Sequence, residues 1–320
     1  MTRPFALKTL LVAALALAGL AAQAQETKVA IAISGWTGFA PLTLAKEAGL
    51  FKKYGLDVTI KKIPQKDRHL AIASGDVQCA ATTVETWIGW NAAGVATTQI
   101  FQLDKSYGAD GMVVKNGIAK ISDLKGKTVA ASPPGTSPYF ALAWFLKKNG
   151  LTPKDVKVVN LEPQPAANAM IAGTEGIDAA MTYEPYLSAV RAKPEAGKII
   201  ATTLDYPMVM DTFGCTPKFL ADNPNAAKAL TDGYFDAVAM IKADPKKSFE
   251  IMGADVKQSG EQFEASQKYL RWQDRDANQK FFAGGEHAQF SKEAADLLLE
   301  VGIIKAVPDL SKLADTRFLK

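Results

Sequence analysis

Apolar residues along the chain gather into short continuous runs separated by amphipathic stretches. The runs at 28–34, 56–63, 77–82, 128–131, 156–161 and 177–182 are strand-length, rich in Val, Ile and Ala, and bounded by Gly, Pro or Asp. They predict buried strands. Between them, Leu42, Ala45, Ala48 and Phe51 share one face of a helix interrupted at Gly49, and Ala141, Leu142, Phe145 and Leu146 share another after Pro138, stopped by Asn149-Gly150. Strand and helix in alternation predict an α/β fold on mostly parallel sheet. From Asn225 the period becomes helical, over 227–243, 246–252, 260–270, 276–283 and 291–301, which predicts a helical C-terminal part.

The first strand opens through Ser34-Gly35-Trp36-Thr37-Gly38 onto a helix N-terminus. That junction is where open α/β sheets bind small molecules. Residues 75–85 and 176–184 echo each other: turn, small-residue strand, then Thr and Glu. Each presents a carboxylate just past a strand end. Two similar lobes facing a shared cleft would bring Glu85 and Glu184 together across it.

Residues 1–24 read as a cleavable export signal, with Arg3 and Lys8, an apolar run at 10–20 and Ala22-Gln23-Ala24. The remainder carries 35 basic and 33 acidic residues, a net charge of +2. So small a charge argues against nucleic-acid binding. With only Cys79 and Cys215, the chain is not a disulfide scaffold, and both fall in strand-like apolar contexts that favour two buried free thiols over a bridge. His69 and His287, the only histidines, have no metal-ligand spacing with the cysteines. Gly126-Lys127-Thr128 lacks the upstream Gly of a phosphate loop, the place being taken by Ile121. No nucleophile elbow or dinucleotide turn occurs. An enzyme is therefore not expected, and no cofactor; a periplasmic hydrolase using Glu85 and Glu184 is the remote alternative.

Residues 41–58, Gly75-Asp76-Val77, 123–130, the turn Pro134-Gly135-Thr136-Ser137 and 176–186 resemble, in order, the signatures of nitrate/sulfonate/taurine-type periplasmic substrate-binding proteins of ABC importers. The resemblance implies a type II periplasmic-binding fold that closes on its ligand by hinge motion, acts as a monomer and docks on an importer permease. It also implies one discontinuous lobe from 25–111 and 211–320, and a second from 112–210. Residues 36–42, 65–69, 82–86, 104–111 and 205–211 further resemble the binding proteins encoded beside urea carboxylase, which are associated with urea-like and guanidine-like compounds.

The residues support that chemistry. An anion site needs hydroxyls, N–H groups, a helix N-terminus or Arg and Lys. Thr136 to Tyr139 offers a helix N-terminus, but Glu85, Glu184 and Asp211 stand at the expected cleft. Carboxylates converging on a small cavity call for a cation or for raised pKa values. Guanidinium suits them, because its N–H edges meet carboxylates bidentately while its face stacks on an aromatic ring. The expected ligand shell is Trp36, Thr37, Thr83, Glu85 and Trp87 with Asp211 from lobe one, and Ser137, Tyr139, Tyr183 and Glu184 from lobe two. A guanidinium-type ligand ranks above urea, and both above an anion. The bland alternatives are specific: Glu184 as a cap on the helix begun by Pro185, Glu85 as a first-turn acid, Asp211 as a hinge contact, and Trp90 and Trp144 as core.

Overall fold

The computed structural model describes residues 26–320; the export-signal expectation for 1–24 lies outside them. The chain begins with β1 (Thr27–Ile33), α1 (Ala40–Glu47), α2 (Leu50–Lys53), β2 (Leu56–Lys62), α3 (Gln65–Ala73), β3 (Cys79–Thr83), α4 (Val84–Ala92) and β4 (Thr98–Ser106). It then crosses to β5 (Asp110–Val114), β6 (Thr128–Ala131), α5 (Ser137–Lys148), β7 (Lys157–Asn160), α6 (Pro163–Ile171), β8 (Ala179–Tyr183), α7 (Tyr186–Arg191) and β9 (Lys198–Thr202). It returns through β10 (Met210–Cys215) to α8 (Pro217–Asp222), α9 (Pro224–Ala243), α10 (Pro245–Asp255), α11 (Gly260–Gln267), β11 (Leu270–Trp272), α12 (Arg275–Ala283) and α13 (Glu286–Glu300).

Two sheets result. The first has the order β11-β4-β10-β3-β1-β2 and the second β7-β6-β8-β5-β9. Both are mixed. The parallel pairs are β1 with β2 and β3, and β6 with β7 and β8; β10 runs antiparallel to both β3 and β4, and β5 to both β8 and β9. The alternation read from the sequence thus accounts for the parallel strands, while β4, β5, β9, β10 and β11 lie outside the six apolar runs that predict strands. Their sequences explain the omission: β4 buries Gln99, Gln102 and Asp104, and β10 buries Asp211 and Thr212.

The helical expectations hold where the apolar face is broad. Leu42 and Ala45 of α1 and Phe51 of α2 are buried, and Gly49, at φ 73°, takes the left-handed conformation that ends one helix and starts the next. In the first core, Phe101 of β4 stacks between Phe213 of β10 and Tyr234 of α9, at 5.0 and 4.8 Å. In the second, Val84 and Ile88 of α4 pack with Met112, Phe145 and Met181, and Leu297 and Leu298 of α13 close over them. The last helix therefore joins the core under the second sheet. Among the described residues, no helix is long and apolar enough to cross a membrane.

Cys79 and Cys215 are joined in a disulfide, not free as expected. The correction follows from topology: β10 returns antiparallel beside β3 and sets Cys215 directly opposite Cys79. Strand-like contexts for the two cysteines do not reveal which strands are neighbours or their register, so the pairing cannot be foreseen from them. The bridge spans 136 residues of sequence and so encloses the whole second sheet. Replacing both with Ser should lower unfolding free energy by about 2–5 kcal/mol in urea denaturation, the usual cost of losing a native bridge that closes a long loop.

Candidate functional site

The facing edges of the two sheets build a small acidic cleft. On the first sheet, β10 sets Asp211 opposite Thr83 of β3 on one side and opposite Asp104 of β4 on the other. Side chains directly opposite in antiparallel strands stand on one face, within a few ångströms of each other. On the second sheet, β5 sets Asp110 opposite Tyr183 of β8. A small cavity of about 20 Å³ lies between these rows, lined by Trp36, Arg68, Thr83 and Asp211 from the first half and Asp110, Ser137 and Tyr183 from the second.

Trp36 is fixed from behind. Its indole Nε1 lies 3.3 and 3.4 Å from the two carboxyl oxygens of Asp104, which is wholly buried, and its ring meets Tyr183 edge-on at 5.3 Å. A Cβ at Gly38 would sit 2.2 Å from both the Asp104 carboxyl and the Trp36 nitrogen. Only Gly permits this pair.

Gln65 bridges the cleft. Its amide nitrogen donates to the hydroxyls of Thr82 and Thr86, each at 2.8 Å, and its amide oxygen accepts from the Ser137 N–H at 3.2 Å. The start of α5, the place an anion would use, is therefore already occupied by a neutral acceptor. Arg68, also buried, donates from Nε to the Ile63 carbonyl at 2.9 Å and from Nη1 to the Ala81 carbonyl, and lies 5.7 Å from the Phe39 ring. Two of its donors are spent on main chain.

The carboxyls outnumber this one cation. Glu85 accepts from the Thr83 hydroxyl, but among the described residues its Oε2 has no partner, nor has Asp110 Oδ2, the Ser137 hydroxyl or the Thr37 hydroxyl, all of them buried. Burial pushes Glu85 up to about 7, and burial with the nearby Glu184 charge pushes Asp110 to about 7. Asp104 is raised well above the carboxylate range by burial. Asp211 is raised likewise, by burial and then by Asp104, Asp110 and Glu85, with Arg68 opposing. Burial alone lowers Arg68 to about 10. The cleft is thus a set of acids held near neutrality that a bound cation would ionise.

Residues 36–248 match the family model described as NMT1/THI5 like. The chain belongs to that family. The taurine-binding periplasmic protein of Escherichia coli (strain K12) is 31% identical over 242 residues, covering 72% of this chain and 71% of its own. The alkanesulfonate-binding protein of Xanthomonas axonopodis pv. citri, solved with MOPS bound, superposes with a TM-score of 0.77 at 17% identity, over 92% of this chain and all (100%) of that one. The nitrate-binding protein of Synechocystis PCC 6803 does so with 0.73 at 19% identity, over 91% and 86%. The fold is that of the periplasmic binding proteins.

Within this NMT1/THI5-like chain, Trp36, Thr83, Ser137, Tyr183 and Asp211 of the expected shell line the cavity, with Glu85 and Thr37 buried beside it. Trp87 is a core residue instead: fully buried, it donates to Thr212 at 2.8 Å and packs edge-on to Trp90. Tyr139 is half-exposed and does not line the cavity. Glu184 does not meet Glu85. Its carboxylate pairs with Arg191 and accepts the Ser188 N–H at 3.1 Å, the capping role weighed against ligand contact. The acid that reaches the cleft from the second half is Asp110. A carboxylate past the end of an apolar, parallel strand is legible in sequence, whereas Asp110 is the first residue of antiparallel β5, which brings it to the same edge from the opposite direction. Asp110 does lie in the 104–111 segment singled out by resemblance, as Arg68 and Gln65 do in 65–69.

The raised acids set a pH dependence with a definite sign. Their folded-state values lie above the unfolded ones, near 4, so their contribution to stability is full below about pH 4 and is lost as pH rises through about 7. His287, lowered by burial to about 4, acts oppositely, but its effect is complete above about 6.5. The raised acids outnumber His287, so the ligand-free protein should lose stability between about pH 4 and 7 in urea titrations. Glu85→Gln should flatten that slope.

Proposed function

We propose that this solute-binding protein captures a small guanidinium-type cation outside the cytoplasm and delivers it to an ABC importer. The observation that carries the reading is the convergence of Asp110 and Asp211, with Glu85 and Asp104 behind them, on a cavity where Arg68 is the single opposing charge. Ionising several such buried acids without a counter-charge is costly, and a bound cation removes that cost. Planar N–H edges suit carboxyls standing on two facing sheets, and the Trp36 indole, locked by Asp104, offers a fixed aromatic wall. Gln65 on the Ser137 N–H also disfavours an anion at the start of α5. The resemblance to binding proteins encoded beside urea carboxylase agrees with this chemistry.

The named relatives bind taurine, alkanesulfonate and nitrate, so the fold serves several ligand classes and the site must decide. Urea is the second reading. Arg68 lines the cavity and favours a ligand with one acceptor end, which urea offers while donating from its two NH₂ groups to the acids.

A thermal-shift panel of guanidinium, methylguanidine, urea, taurine and nitrate at pH 8 tests the reading. Guanidinium at about 100 times its dissociation constant should stabilise the protein by about 2.7 kcal/mol. Stabilisation by taurine or nitrate alone would sink it, and conversion of the ligand on long incubation would revive the hydrolase alternative. Asp110→Asn and Asp211→Asn should each weaken guanidinium by about 2–5 kcal/mol in calorimetry, as expected when one side of a buried charged contact is lost. Guanidinium affinity should rise from pH 6 to 8 as the acids ionise, with proton release. Urea affinity should not follow that course.

A further inference from the structure

Helix α7 rides with the second half of the molecule. Leu187 and Val190 are buried in a cluster with Val113, Ala130 and Ala180 of the second sheet. Yet the polar groups around both of its ends reach elsewhere. Just before the helix, the Glu184 N–H donates to the Ala109 carbonyl in the crossover at 2.9 Å, and the Glu184 carbonyl lies 3.5 Å from the Thr37 N–H of the β1–α1 loop. At its start, the Tyr186 hydroxyl fills the space beside Gly35 so closely that a Cβ there would come within 3.0 Å. At its end, Arg191 pairs with buried Glu184, donates from Nη2 to the Gly108 carbonyl at 2.8 Å, and lays its guanidinium 3.8 Å over the Tyr269 ring. Tyr269 packs on the core of the first sheet, and its carbonyl accepts the Tyr107 N–H at 2.7 Å.

We infer that residues 184–191 form a clasp across the cleft, in which Arg191 anchors the second half to the first and Tyr186 gates the ligand's exit. Separating the halves must break the contacts to Gly35, Thr37 and Tyr269, whatever ligand lies inside. On the far side of the Gly35–Tyr186 contact lies an open groove of about 620 Å³, bordered also by Lys62, Gln164 and Asp255. Ser34 and Tyr183 line the inner cavity, while their near neighbours Gly35 and Tyr186 line this groove. The gate thus sets an upper limit on ligand length, and the clasp controls release more than recognition. The gate rests on the cation reading for its probe; the anchor does not.

The anchor is tested by amide exchange of the Thr37 N–H in ligand-free protein and by guanidinium dissociation in stopped flow. Arg191→Lys keeps a partner for Glu184 but loses the planar stack, and Tyr269→Leu removes the platform while leaving the Glu184–Arg191 pair. Each should speed Thr37 exchange and guanidinium release by about tenfold while association changes less than about twofold, in line with a desolvated cation–π contact. Unchanged Thr37 exchange in both variants overturns the anchor, even if guanidinium binds. If wild type fails to bind guanidinium, the cation reading falls and Thr37 exchange still decides the anchor. For the gate, wild type should bind methylguanidine at least about tenfold more tightly than butylguanidine, and Tyr186→Ala should erase that preference. Equal affinity of wild type for the two overturns the gate.

Discussion

The organisation of the molecule turns on one strand register. Because β10 lies antiparallel between β3 and β4, Asp211 is held directly between Thr83 and Asp104. Like charges opposed in adjacent strands repel, and burial adds the loss of hydration. The native state accommodates them by keeping their pKa values high, and the surrounding structure maintains the arrangement. The Cys79–Cys215 bridge locks the opposite end of the same strand pair, and the stack of Phe101 on Phe213 and Tyr234 fixes β10 against α9. The cluster is expensive to assemble, and its energetic relief is available only through protonation or a bound cation.

That register also shows where the sequence was readable. Parallel strands carry uninterrupted apolar runs because both faces are covered, and those at 28–34, 56–63 and 128–131 match β1, β2 and β6 to within a residue or so. The helices from 224 onward follow their apolar faces equally well. The central antiparallel strands β4 and β10 carry buried Gln, Asp and Thr among their apolar residues, and β5 begins on a buried Asp, so hydropathy marks them less clearly. They are also the strands that supply Asp104, Asp110 and Asp211. The sequence therefore disclosed the scaffold, and the acidic character of the site, more fully than it disclosed which acids converge. Glu184 illustrates the limit: its position past a strand end is the same in kind as that of Glu85, and only the place of Arg191, one helix later, turns it from the cleft.

Trp36 joins both levels of description. In sequence it is an aromatic residue in a Gly-flanked loop at a strand end, a position from which a ligand contact is expected. In the structure the flanking Gly38 has a steric purpose, since any side chain there would displace Asp104 from the indole. Asp104 in turn is the cross-strand neighbour of Asp211. A single register thus couples the aromatic wall of the cavity to its acidic floor.

Recognition and retention are consequently built from different residues. The cleft acids and Trp36 stand at sheet edges, where register sets their positions to within a side chain's reach. The contacts that tie the halves together, at Glu184, Tyr186 and Arg191, belong to helix α7 and the residue just before its N-cap, outside the row of acids that lines the cavity. Chemical selectivity can then change by substitution at strand ends without disturbing closure, and release can be retuned from α7 without altering which ligand is chosen. A relative named for taurine and proteins of the same fold named for alkanesulfonate and nitrate share this architecture; on the proposed cation reading, that separation lets one closing motion serve sites of opposite charge.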